Sequence, residues 1–89
     1  MAQMTQSKPR FAIKSAVVAG AGADTDIAIA GILTTDTIVA VLELVGGGVD
    51  VTDANDRTST TSITSDGNIQ CSVATTGDKL WVLYSVNDL

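Results

Sequence analysis

Gly20-Ala21-Gly22 follows the apolar run Ala16-Val17-Val18-Ala19, which is how a turn that cradles a pyrophosphate begins. Such a turn needs a third glycine and a helix whose N-terminus holds the phosphate. Here Thr25 stands at the third position, and Asp24 and Asp26 add negative charge that repels phosphate. Ile27-Ala28-Ile29-Ala30 then continues with strand-like alternation. The two glycines read as hairpin or bulge residues. Asp50, Asp53 and Asp56 recur at every third residue, but a calcium loop of the EF-hand type places its ligands at alternate residues, with a glycine sixth and a glutamate twelfth. Asp53 and Asn55 read instead as side chains that hold a turn by accepting from backbone amides. The chain has no histidine and one cysteine, Cys71, so zinc ligation, histidine-assisted nucleophilic catalysis and an internal disulfide lack their residues. Cys71 alternates in phase with Ile69 and Val73 and reads as an inert core residue. A carboxylate pair of the glycosidase type needs a deep cleft, for which 89 residues leave little volume. The expectation is a protein with no catalytic site, cofactor, metal or small-molecule substrate.

Charge is distributed unevenly. Lys8, Arg10 and Lys14 put three bases in the first 14 residues, and the remaining 75 carry two bases against ten acids. An acidic body argues against nucleic-acid binding, which needs clustered Lys and Arg. The basic segment 1–10 has no periodicity and contains Pro9. It reads as an extended arm, either a solvated tail or a segment that docks on an acidic protein surface. The longest apolar candidate, from Thr37 to Val49, holds Glu43 and three glycines, and no run approaches the roughly 20 residues of a membrane helix. A secretory leader ending at Ala21-Gly22-Ala23 is disfavoured because Lys14 interrupts its apolar region.

The elements that must position these residues are strands. Thr and Val are abundant, whereas Glu occurs once and Lys three times. Apolar residues recur with period two. This predicts strands over Phe11 to Val18, Thr25 to Ala30, Asp36 to Val45, Val49 to Thr52, Thr58 to Thr64 (an edge strand), Asn68 to Ala74 and Lys79 to Val86. Asp66-Gly67 and Gly77 mark two turns, and Gly46-Gly47-Gly48 marks a mobile loop. About seven strands at short spacing predict a small all-β, antiparallel sandwich or barrel over residues 11–89, preceded by the arm. The strands at Ile38 to Val45 and Leu80 to Val86 are apolar on both faces, whereas a two-layer sandwich buries one face of each sheet. The surplus face calls for a neighbouring subunit, another partner or the arm.

Several ordered features carry a resemblance: Gly31-Ile32; Asp36-Thr37-Ile38-Val39-Ala40-Val41-Leu42; Asp53 with Arg57-Thr58-Ser59; Ile63-Thr64-Ser65-Asp66-Gly67-Asn68-Ile69; and Thr75-Thr76-Gly77-Asp78-Lys79-Leu80-Trp81-Val82. From Ala16 to Tyr84 the chain resembles the small all-β head proteins of tailed bacteriophages, the capsid decoration or cement proteins. Their recurring shape is "G-D-x-[LI]-V-[AS]-V-L", a polar "D-x-T-S" loop, then "T-T-G-D-K-L-x-V". The chain departs from it with Thr35 before Asp36 and with the triple-glycine run. The resemblance implies a non-enzymatic structural protein on the outer surface of a virion, made in the host cytoplasm. It further implies a homo-oligomer, a trimer above all, that clamps neighbouring subunits of the major capsid protein. On this reading Lys8, Arg10 and Phe11 dock the arm, and Val39, Val41, Trp81 and Leu83 pack subunits. The alternative is a small binding module, carbohydrate-binding or adhesin-like, whose aromatic platform would come from Phe11, Trp81 or Tyr84.

Overall fold

A computed structural model describes residues 11–46 and 53–87, with side chains described from 12 to 46 and from 53 to 86. The arm assigned to residues 1–10, the strand expected over Val49 to Thr52 and most of the triple-glycine loop lie outside the described residues. Within them the chain forms β1 (Phe11–Ala19), β2 (Ile27–Ala28), β3 (Thr37–Val45), β4 (Asp53–Asp56), a 3-10 turn (Thr58–Thr60), β5 (Thr61–Ser65), β6 (Asn68–Cys71) and β7 (Lys79–Asn87). They build two antiparallel sheets, one ordered β1-β7-β3-β4 and the other β2-β6-β5. The all-β class, the two-sheet architecture and the strand number agree with the sequence reading.

The core lies between the sheets. Val41, Leu80, Val82 and Tyr84 project from the four-stranded sheet onto Ile27, Ile29, Ile32 and Ile69, with Ala16, Val18 and Ile38 at the margin. Ile27 and Ile29 are both buried, as their alternation requires, yet only Ile27–Ala28 pairs as a strand. Beyond it the Ile29 N–H donates to the Gly67 carbonyl at 2.9 Å, and the Gly67 N–H donates to the Ile32 carbonyl at 2.7 Å. The expected turns are present: Gly67 at φ 86° closes the β5–β6 hairpin, and Gly77 at φ 87° closes the turn that leads into β7.

Three local readings need correction, the first being the strand expected over Asn68 to Ala74, which ends at Cys71. The Asp53 Oδ1 does accept from a backbone amide, that of Ala54 at 2.9 Å, but no turn forms there: Asp53 and Asn55 belong to β4, which pairs with β3 from Val45↔Asp53 to Leu42↔Asp56. A long apolar neighbour supplies that pairing where local β propensity is poor. The strand expected from Thr58 starts instead at Thr61, because Asp56 captures Thr58. Its Oδ1 accepts from the Thr58 N–H at 2.9 Å and from the Thr58 hydroxyl at 2.6 Å, which curls residues 58–60 into one 3-10 turn. The same two bonds hold the Asp56 carboxyl below its usual range, the hydroxyl contributing most.

Gly20 answers the question raised by the glycine pair. Its N–H donates to the Asp78 carbonyl at 2.8 Å, and its backbone lies against Thr75. The Thr75 hydroxyl accepts from the Ala21 N–H at 3.1 Å, and the Thr75 N–H donates to the Ala21 carbonyl at 2.8 Å. The segment crosses from one sheet to the other here, and a residue without Cβ allows the close approach.

Candidate interaction surface

The outer face of the four-stranded sheet is built by three nine-residue strands. Register sets its rows. Val17 lies beside Trp81, and Trp81 beside Leu42; Ser15 lies beside Leu83, and Leu83 beside Ala40; Ile13 lies beside Ser85, and Ser85 beside Thr37. Cross-strand partners share a face. Four of the five large apolar side chains that are exposed lie here: Val17 (60 %), Ile13 (54 %), Val39 (48 %) and Trp81 (40 %). Leu42, Leu44 and Leu83 are half-buried among them. The result is a continuous apolar surface with no internal partner among the described residues. Surfaces of this kind mark association sites.

Three of the residues expected to pack subunits, Val39, Trp81 and Leu83, share this face. Val41 does not, and its assignment to the interface is corrected: it is 0 % exposed and sits in the core against Val82. The cause is a bulge in β3. Ile38 pairs with Tyr84 and Ala40 with Leu83, so Val39 is the extra residue. One extra residue shifts the alternation by one position. Ile38 and Val41 therefore both face inward, while Val39 and Ala40 both face outward. Uniform alternation would have put Val39 and Val41 together. Of the expected docking residues, Lys8 and Arg10 lie outside the described residues; Phe11 opens β1 opposite Asn87, and its side chain is not described. Cys71 is buried in the core, in line with its sequence reading.

The sequence reading missed Ile13 and Val17 as members of this surface. Their alternation with Lys14 and Ala16 was visible, but only the pairing of β1 with β7 brings them beside Trp81. It also missed Glu43, whose phase after the bulge turns it inward. Glu43 is buried, and its Oε1 accepts from the Arg57 Nε at 2.8 Å. Removing one member of such a pair strands the other. Arg57→Met is expected to cost about 3 kcal/mol, whereas Glu43→Leu combined with Arg57→Met recovers most of that loss. Urea unfolding midpoints of the two variants and the wild type check this: equal midpoints for the two variants would show that no stranded charge causes the loss, and a wild-type midpoint for Arg57→Met would show that the pair is dispensable.

What this arrangement offers is a non-covalent contact: aliphatic and aromatic side chains centred on Trp81, Leu83 and Leu42, with the hydroxyls of Ser15, Ser85 and Thr37 among them. No family model matches the chain, and neither the curated proteins nor the solved structures yield a match.

Proposed function

We propose that this chain is a non-enzymatic structural protein of a bacteriophage virion. On this reading it decorates the outer capsid surface, clamps neighbouring major capsid subunits and associates with copies of itself. One observation carries the reading: Val17, Val39 and Trp81 expose a contiguous apolar surface on the outer face of β1, β7 and β3. A protein of this size gains by covering such a surface. The acidic body and the resemblance of residues 16–84 to capsid decoration proteins support the same reading.

The test is co-sedimentation of the purified chain with undecorated capsids of the phage that encodes it. Saturable binding is expected, with a rise in the temperature at which the capsids open. Removal of residues 1–10 is expected to lower occupancy while the β-type circular dichroism persists. Absence of binding to these capsids would refute the decoration role.

The exposure of Trp81 favours one alternative, a sugar-binding module, since a half-exposed indole is a stacking platform. Its cross-strand neighbours are the aliphatic Val17 and Leu42, whereas a sugar needs hydrogen-bonding groups around the ring. Titration with oligosaccharides, followed by Trp81 fluorescence, separates the readings: a saturable change supports the module, and a flat response supports decoration.

A further inference from the structure

The two sheets have four edge strands, and three of them are defended against pairing. β2 has two residues. β4 has four, of which two are aspartates. β5 is built of Thr and Ser around one Ile, and its ladder is broken by a register shift between Ile63 and Ser65. Short length, charge and bulges are the usual ways in which an edge avoids a second chain. β1 is different. It has nine residues and runs in unbroken register along β7 from Phe11↔Asn87 to Ala19↔Lys79. It contains no proline and no register shift, and the one edge-guarding device it carries is the charge of Lys14, in the row that pairs with Tyr84. Among the described residues nothing pairs with its other side.

The phase of that open side follows from one bond. The Gly20 N–H donates to the Asp78 carbonyl, in the same register as the β1–β7 ladder. Backbone groups alternate left and right along a strand. Even-numbered residues of β1 therefore turn their N–H and C=O toward β7. Phe11, Ile13, Ser15, Val17 and Ala19 turn theirs to the open edge, and Ile13, Ser15 and Val17 also place their side chains on the apolar outer face.

We infer that β1 is a self-pairing edge: two copies join β1 to β1 in antiparallel register about a two-fold axis at Ser15, making one eight-stranded sheet. The sequence of β1 is self-complementary about that residue. Ile13 of one copy meets Val17 of the second, twice, and Ser15 meets Ser15. Lys14 meets the small Ala16, whereas an axis at Lys14 would oppose two like charges and one at Ile13 would leave the end of the strand unpaired. The pairing satisfies on the order of ten backbone bonds between the copies. It places β-branched residues opposite one another, a favourable cross-strand match, and preserves the faces of both sheets, so the two apolar outer faces become one. The contact uses the edge rather than the face, and it stands or falls separately from capsid binding.

The test is the mass of the full chain by sedimentation equilibrium or native mass spectrometry. Two chains per particle are expected. Ser15→Pro removes a donor on the open side and leaves every bond to β7 in place, so it is expected to yield a folded monomer. Ser15→Lys opposes two ammonium groups at the axis and is expected to weaken the dimer by about tenfold or more. Mixing Ser15→Lys with Ser15→Glu is expected to restore a particle of two chains containing one of each. A wild-type mass of one or three chains overturns the inference, as does a dimer that Ser15→Pro and Ser15→Lys leave unchanged. Capsid co-sedimentation of the same variants reads the decoration role separately.

Discussion

Gly20→Val leaves little folded protein at room temperature, and Gly20→Ala costs about 3 kcal/mol or more. A Cβ on residue 20 would sit 2.1 Å from the Thr75 carbonyl oxygen, 2.5 Å from its hydroxyl and 2.8 Å from its carbonyl carbon. Two of these atoms are backbone and cannot swing aside. Thr75 is pinned as well: it exchanges bonds with Ala21, and its carbonyl accepts from the Asp78 N–H at 3.0 Å. Relief requires moving the start of β7, which lies in the middle of the four-stranded sheet. A domain of this size is stable by roughly 4–13 kcal/mol, so the loss is a large share of the total. Gly22→Ala is the control. The nearest atom to its Cβ is the Thr25 hydroxyl at 3.4 Å, and the change is expected to cost less than about 0.5 kcal/mol. Urea titrations of the two alanine variants give the comparison. Equal midpoints would mean that the close approach at Gly20 carries no weight. The pair also separates two meanings of Gly-x-Gly: a phosphate-binding turn needs both glycines, and a backbone crossing of this geometry needs the first.

Val39→Asp combined with Trp81→Gln is expected to abolish capsid binding at micromolar protein and to leave the domain folded. A charge brought into an apolar contact loses its water without gaining a partner. A tryptophan at the centre of such a contact is often worth 2 kcal/mol or more. Together the two changes should weaken binding by roughly a thousandfold, which corresponds to about 4 kcal/mol. Neither position is in the core, so the unfolding midpoint should move little. Val41→Asp is the counterpart. It lies two residues along the same strand, is fully buried and has no counter-charge assigned to it, so the substitution is expected to unfold the protein. Binding that survives the double change would remove the outer face from the proposal. A folded Val41→Asp variant would show that the bulge does not set the phase described.

Much of this architecture is legible in local pattern. Alternation in Ile69 and Cys71 and in Ile27 and Ile29 marks residues that are buried between the sheets, whereas Leu80 to Val86, apolar on both faces, leaves open which row turns inward; the structure buries Leu80, Val82 and Tyr84. The glycines at 67 and 77 sit where the backbone needs φ above zero, and their turns can be read from the residues beside them. The surplus of apolar surface on the strands containing Val39 and Trp81 is equally a matter of counting faces. What fails is phase. Val39 and Val41 are equivalent in any period-two reading, and nothing in Ile38-Val39-Ala40-Val41 announces the extra residue. β4 is hidden for a related reason, since Asp53-Ala54-Asn55-Asp56 pairs only because β3 offers it an edge.

Composition, alternation and turn residues by themselves determined an all-β domain with a surplus of apolar strand faces, because each of those properties is local or additive along the chain. Only the tertiary structure decided which face Val39 shares with Val17 and Trp81, what lies against Gly20, which charge accompanies Glu43 inward, and that β1 has a single neighbour, β7, among the described residues. Those depend on registers between segments far apart in sequence. A register is chosen by the summed packing and hydrogen bonding of both partners, a quantity that neither strand contains alone.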